Sequence, residues 1–179
     1  MLKREVAESF GEDKTLKFIS DGMLGKLTRW LRMLGHDVKY SNKLDDTQLI
    51  AIAKKERRIL LTRDLELYQQ ATAKGVDTFY LEGKIEEEKL AELAKRFNIK
   101  LDIDMTTSRC PKCNTRVNRI PKERIANKVE KSTFAHYDEF WECPKCGQIY
   151  WQGAHWTRIR TTLEKAKEIL KKTRSKNNC

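Results

Sequence analysis

Two Cys-x-x-Cys pairs constrain this chain more than any other feature of its sequence. They are Cys110-Pro-Lys-Cys113 and Cys143-Pro-Lys-Cys146, and two pairs of this spacing supply the four thiolates of a tetrahedral structural zinc site. Asn114 and Gly147 follow the pairs, and both residue types tolerate the left-handed backbone with which a zinc knuckle directs amides at its sulfurs. We therefore expect one zinc ion, bound by all four cysteines, to tie two hairpin tips together.

The alternatives for these cysteines are a redox dithiol and a pair of disulfides. The identical Pro-Lys insert in both pairs, without a thioredoxin-like context, favours zinc over redox chemistry. Residues 1–5 (MLKRE) are too charged for a secretion signal, and no run of about eighteen apolar residues occurs. We therefore expect a cytoplasmic protein with no membrane segment and no disulfides. Cys179 ends a polar tail and is expected to be incidental.

The net charge of +11 is concentrated in the second part of the chain. Residues 1–104 hold 20 Lys and Arg against 19 Asp and Glu, whereas residues 105–179 hold 17 against 7. A basic surface of this kind attracts polyanions through counterion release, so nucleic acid is the expected partner. A solvated lysine-rich surface that serves solubility or thermal stability is the alternative.

The first 104 residues alternate between strand and helix patterns, which predicts an α/β fold with a parallel sheet. Residues 105–156 change to short β-type runs, cysteines and aromatic residues, and residues 157–172 carry a basic amphipathic helix pattern. We expect a body at 15–104, a zinc ribbon at 105–156 and a basic C-terminal helix at 157–176. The predicted strands lie within residues 16–20, 36–40, 58–62 and 76–81, and helices follow each of them.

Aspartates follow three of the predicted strands. Asp21 comes after the first strand, Asp45 and Asp46 come at a helix start after the second, and Asp64 comes after the third. The carboxyl ends of parallel strands share one edge of the sheet, so these carboxylates should meet there. Clustered carboxylates call for Mg²⁺ or Mn²⁺, which can activate water against a phosphodiester. The alternative is that each aspartate only caps a helix.

Basic residues accompany this predicted acidic edge. Lys26 and Arg29 follow Asp21 on the first helix, and Arg63 adjoins Asp64, so these three are candidate phosphate contacts. Arg158 and Arg160 are further candidates at the start of the terminal helix. Arg32 is expected on an exposed, solvated helix face.

Four motifs together resemble a known family. They are residues 18–37 (FISDGMLGKLTRWLRMLGHD), residues 58–64 (RILLTRD), the two Cys-Pro-x-Cys pairs, and residues 150–156 (YWQGAHW). In this order, over about residues 16–160, they resemble the Mut-seven C-terminal RNase domain family. The resemblance implies a PIN-like ribonuclease fold, a parallel sheet sandwiched by helices, followed by a zinc ribbon.

The resemblance also implies a divalent-metal RNase site at Asp21, Asp45 or Asp46, and Asp64, with Thr62 orienting a carboxylate or water. PIN sites usually include another acid, for which Glu82 is the candidate. The expected activity is metal-dependent, endonucleolytic hydrolysis of RNA, with tRNA, rRNA or the ribosome as candidate partners. The alternatives are a non-catalytic RNA- or ribosome-binding protein with a vestigial site and a toxin-type PIN nuclease. The RNA sequence and the oligomeric state stay open.

Overall fold

A four-stranded sheet, with all neighbouring strands parallel, forms the centre of the amino-terminal body. The computed structural model describes residues 16–175, so the expectations for residues 1–5 and for Cys179 lie outside the described part. The strands are β1 (Lys17–Ser20), β2 (Asp37–Tyr40), β3 (Ile59–Thr62) and β4 (Thr78–Tyr80). The strand order is β2-β1-β3-β4. The predicted parallel α/β sheet is confirmed.

Helices cover both faces of this sheet. Adjacent strand residues alternate between two cores, so that Phe18 and Leu61 pack on one face, whereas Ile19 and Leu60 pack on the other. The helices are α1 (Gly25–Met33), preceded by a 3-10 turn at Gly22–Leu24, then α2 (Asp46–Glu56), α3 (Leu65–Ala73) and α4 (Glu86–Phe97). The first core includes residues of α1 and α4, and the second includes residues of α2 and α3.

The direction in which successive strands are added to the sheet reverses at the β1–β3 pair. After β1 the chain adds β2 on one side, and it then returns to add β3 and β4 on the other side. In open α/β sheets, ligands bind outside the carboxyl ends of the strands at such a reversal. Asp21 and Asp64 follow β1 and β3 at this edge.

The cysteine-containing segment forms a small antiparallel sheet of β5 (Asn118–Ile120), β6 (Phe140–Glu142) and β7 (Ile149–Tyr150). A 3-10 turn at Lys122–Ile125 and helix α5 (Lys131–His136) lie between β5 and β6. Trp141 is 7 % exposed and packs with Val117 and the cysteines, while Trp151 packs against a second small core. These aromatic side chains build the ribbon's interior.

Helix α6 (His155–Ser175) begins two residues before the predicted helix and packs along α4. Leu163 and Ala166 are buried in the core that α1 and α4 share with the sheet. Within residues 16–175, no helix combines the length and the apolar character needed to cross a membrane.

Arg32 joins the body to the ribbon. Its Nε and Nη2 donate to the Val38 carbonyl at 3.1 and 2.8 Å, and its Nη1 donates to the carbonyls of Pro111 (2.8 Å) and Lys112 (3.2 Å). The residue is 7 % exposed. The expectation of a solvated Arg32 was wrong, because the fork of guanidinium donors is needed to satisfy carbonyls from β2 and from the first knuckle.

Candidate active site

Asp21 is the most firmly held carboxylate at the carboxyl edge of the sheet. It is 6 % exposed, and its Oδ1 accepts the Met23 N–H at 2.8 Å, which caps the following 3-10 turn. Its Oδ2 accepts the Thr62 hydroxyl at 2.5 Å and the Arg63 N–H at 3.3 Å. Donors at the carboxyl end of β3 and directly after it therefore fix a carboxylate that follows β1.

Thr62 links Asp21 to Asp64. Its Oγ1 donates to Asp21 and accepts the backbone N–H of Asp64 at 2.9 Å. The exposed Asp64 in turn caps α3, because its Oδ1 accepts the N–H groups of Glu66 (2.8 Å) and Leu67 (3.1 Å). Both aspartates thus serve as caps, as the alternative interpretation expected, and both lie at the β1–β3 edge.

The structure distinguishes Asp45 from Asp46. Asp45 caps α2 in a reciprocal capping box, in which its Oδ1 accepts the Gln48 N–H at 2.8 Å and its own N–H donates to Gln48 Oε1 at 3.1 Å. Asp46 is the first residue of the helix. Partial desolvation, with the nearby charges of Asp64, Glu66, Asp45 and Asp21, raises the pKa of Asp46. Asp46 therefore lies close enough to the other carboxylates at this edge of the sheet for their charges to affect it.

Glu66 is the acidic neighbour that the sequence analysis missed. It is exposed in the first turn of α3, and its charge is among those that raise the pKa of Asp46. The Asp-x-Glu step at Asp64 and Glu66 is the signal that could have identified it. Glu82, the earlier candidate, is exposed after β4, where its backbone N–H donates to Glu92.

The five residues that were predicted to contact RNA lie in different parts of the structure. Lys26 and Arg29 are exposed on α1, and Arg158 and Arg160 are exposed on α6. Lys26 and Arg158 line one cavity, whereas Arg160 lines another, beside Leu101 and Lys167. Arg63 is half-buried, and its Nε has no hydrogen-bond partner among the described residues.

The four cysteine sulfurs lie together, all within 4.8 Å of one another. Cys110 Sγ is 3.6 Å from Cys146 Sγ, and Cys113 Sγ is 3.3 Å from Cys143 Sγ. The tetrahedral arrangement of four thiolates around zinc requires separations of this order. Four such ligands leave no coordination position open, so this centre suits a structural role.

Each knuckle repeats the same backbone pattern. The N–H of Asn114 donates to the Cys110 carbonyl, and the N–H of Gly147 donates to the Cys143 carbonyl, both at 2.9 Å. Asn114 has φ +68° and Gly147 has φ +69°, so both adopt the left-handed conformation that the sequence predicted. The predicted four-cysteine metal group is confirmed.

The stretch from residue 16 to residue 163 matches a family model described as the Mut7-C RNAse domain. This chain belongs to that family. The match to the Mut7-C RNAse domain covers the parallel sheet, the four-cysteine ribbon and the first part of α6, so the resemblance seen in the sequence is confirmed. Neither a curated protein nor a solved structure matches the chain.

Membership of the Mut7-C RNAse domain family supports a ribonuclease-like function for this chain. Within residues 16–175, the cysteines form the only group of three or more potential ligands at ion-binding separation. The carboxylates of the edge are therefore more widely spaced than the sulfurs. Mg²⁺ accommodates such spacing, because it retains several waters and binds through one or two carboxylates.

Proposed function

We propose that this protein is a divalent-metal-dependent ribonuclease that hydrolyses RNA phosphodiester bonds endonucleolytically in the cytoplasm. One observation carries the proposal: Asp21, fixed by donors from β3, lies at the reversal of the strand order within a field of further carboxylates. The family match supports the same reaction class. We assign the acidic centre to Asp21, Asp46, Asp64 and Glu66, with Asp45 as the helix cap.

The donor set of this centre suits Mg²⁺ or Mn²⁺, since both ions prefer carboxylate oxygens. When bound, such an ion lowers the pKa of coordinated water and neutralises charge on the phosphate. The protein's own contribution is positional. Thr62 and the Arg63 N–H hold Asp21 in one orientation, and the same threonine aligns the backbone of Asp64. Partial desolvation, followed by the charges of neighbouring carboxylates, raises the pKa of Asp46, and a bound cation would offset both effects.

The ribbon and α6 are proposed to aid RNA binding through charge. Residues 105–179 carry 17 Lys and Arg against 7 Asp and Glu, and exposed cations contact RNA phosphates without reading sequence. The buried Trp141 packs inside the ribbon, so the surface charge and not this aromatic ring is the candidate contact. Both tRNA and rRNA, free or in the ribosome, satisfy this chemistry.

Cleavage of a fluorescent single-stranded RNA in Mn²⁺ tests the proposal. We expect Asp21→Asn and Asp64→Asn to lose at least about 100-fold in rate, because even outer-sphere partners of a metal site are worth 10- to 100-fold. Thr62→Val, which removes the hydroxyl that holds Asp21, should lose about 10- to 100-fold, and Thr62→Ser should restore the rate.

Asp77→Asn is the matched control, because Asp77 is exposed just before β4, at the opposite edge of the sheet. It makes the same chemical change and should leave the rate unchanged. Cleavage by the wild type that continues without divalent cations would contradict the proposed metal dependence. Equal rates for the wild type and Asp21→Asn would overturn the assigned centre.

A non-catalytic RNA-binding protein is the second candidate function. The lack of a three-carboxylate group at ion-binding separation favours it, because only the cysteines among residues 16–175 form a group of three or more potential ligands at that separation. This candidate predicts salt-dependent RNA binding with no cleavage in Mg²⁺ or Mn²⁺. Metal-dependent cleavage that Asp21→Asn abolishes would exclude it.

A further inference from the structure

A cavity of about 230 Å³ lies where α1, α4 and α6 meet. Its lining includes Lys26, Trp30, Glu86, His155 and Arg158. Lys26 belongs to the first turn of α1 and Glu86 is the first residue of α4. These turns follow β1 and β4, so the cavity opens near the carboxyl edge of the sheet that also carries Asp21 and Asp64.

Glu86, one of the residues that line this cavity, has an unused acceptor. The residue is 8 % exposed, and its Oε1 accepts a hydrogen bond from Lys89 Nζ at 2.8 Å. Its Oε2 is buried and has no hydrogen-bond partner among residues 16–175. A buried acceptor without a donor is unfavourable, because it has lost its hydrogen bonds to water. A ligand that brings an N–H group to Glu86 would restore such a hydrogen bond.

The rest of the lining matches one nucleotide of a single strand. Trp30, 8 % exposed, contributes an indole to the wall, and aromatic surfaces of this kind pack against unstacked bases. Lys26 and Arg158 also line the cavity and are exposed, so they can contact phosphates next to an inserted base. The cavity therefore combines an apolar wall, two carboxylates, of which Glu86 is buried and Glu87 is half-buried, and two exposed cations.

We infer that this cavity binds one unpaired guanine of the RNA, with Glu86 as the residue that selects the base. The inference rests on the proposed ribonuclease function and specifies its substrate. Guanine carries two adjacent N–H donors, N1–H and N2–H, on its Watson–Crick edge. Adenine and cytosine each place an acceptor beside one amino donor, and uracil places its single donor between two carbonyls. A carboxylate accepts from the guanine edge and repels the acceptors of the other bases.

Binding of RNA hexamers tests the inference separately from catalysis. The probes are fluorescein-labelled UUUUUU and the hexamers with one central G, A or C, titrated with zinc-loaded protein by fluorescence anisotropy without Mg²⁺ or Mn²⁺. We expect the G hexamer to bind about tenfold more tightly than UUUUUU. Glu86→Gln should reduce that preference to less than about twofold while the affinity for UUUUUU changes little. Lys26→Ala and Arg158→Ala should weaken all four probes equally.

Glu168→Gln is the control for net charge, because Glu168 is exposed on α6 and is not part of the cavity lining. It should leave the preference for G intact. No preference for G in the wild type, a preference for another base, or a preference that persists in folded Glu86→Gln protein would each overturn the inference. None of these outcomes bears on cleavage, which the Asp21→Asn comparison tests.

A measurement on the wild-type protein removes the dependence on the folding of Glu86→Gln. GMP, AMP, CMP and UMP are titrated while the indole N–H resonance of Trp30, assigned by its loss in Trp30→Phe, is followed by NMR. We expect GMP to shift this resonance at the lowest concentration. A resonance that responds equally to all four nucleotides, or to none, would contradict guanine binding at this cavity.

Discussion

His36 shows how a single residue can acquire an environment that its place in the sequence does not reveal. It directly follows the glycine that ends the α1 segment, yet its ring packs edge-on against Phe18, with ring centroids 5.7 Å apart. Its Nδ1 is buried without a hydrogen-bond partner among the described residues. Burial, together with the nearby charge of Arg109, lowers the pKa of His36 to about 4.

This depressed pKa makes stability depend on pH in a defined direction. The unfolded chain binds a proton at His36 near pH 6.5, whereas the folded chain does so only near pH 4. His36 therefore contributes full stability above pH 6.5, and this contribution falls as the pH drops towards 4. Urea unfolding at pH 7.5, 6.5 and 5.5 should show this loss, at up to about 1.4 kcal/mol per pH unit.

His36→Phe isolates the contribution of His36 to the pH dependence of the free energy of unfolding. Phenylalanine keeps an aromatic ring against Phe18 and removes the titrating group. The variant should lose the His36 part of the slope between pH 6.5 and 5.5 and keep the rest. The zinc content is measured at each pH to confirm that the metal stays bound. Identical slopes for the two proteins would show that His36 titrates normally in the folded state.

Helix α1 carries two arginines with opposite roles three residues apart. Arg29 is exposed, while Arg32 is buried and donates to carbonyls of Val38, Pro111 and Lys112. We expect Arg32→Met to lower the free energy of unfolding by about 2–4 kcal/mol, because several buried carbonyls lose their donor. Arg29→Met, the matched control, should change it by less than about 0.5 kcal/mol. Urea denaturation measures both, and equal losses would contradict the role of Arg32.

The sheet and its acidic edge could be predicted from the sequence, because both predictions depend only on residues that are neighbours in the chain. The alternation of strand and helix patterns predicted the sheet, and the positions of Asp21 and Asp64 after β1 and β3 placed them at one edge. The burial of Arg32 depends on carbonyls about eighty positions away, which no local pattern encodes. The distinction between Asp45 and Asp46 likewise required the observed capping box.

At the scale of the whole molecule, the body and the ribbon share a polar interface. The Asn114 amide in the first knuckle donates to Asp37 Oδ1 at 2.6 Å and accepts the Val38 N–H at 3.1 Å, both at the start of β2. Hydrogen bonds to Asp37 from Arg58 and Asn114 outweigh its burial and lower its pKa. The knuckle that holds two zinc ligands therefore also stabilises an edge strand of the sheet.

Zinc removal should consequently affect the body as well as the ribbon. We expect one zinc per wild-type chain and a loss of zinc in Cys143→Ser, because three thiolates and a hydroxyl are a poorer ligand set. Without the metal, the first knuckle loses its conformation, and Arg32 and Asp37 lose partners that it supplies. Hydrogen exchange at β2 should then become faster, and the midpoint of thermal unfolding should fall.

Zinc content by elemental analysis and amide exchange by mass spectrometry measure these effects. Cys179→Ser is the matched control, since the four-cysteine group is complete without Cys179, and Asp21→Asn should retain its zinc because it alters only the acidic edge. Faster exchange confined to the ribbon in Cys143→Ser would show that the interface does not transmit the loss. Faster exchange in β2 of Cys143→Ser would establish that the cysteine centre supports the fold of the body. Zinc that stays bound in Asp21→Asn would establish that the acidic edge is separate from this centre and is left for chemistry.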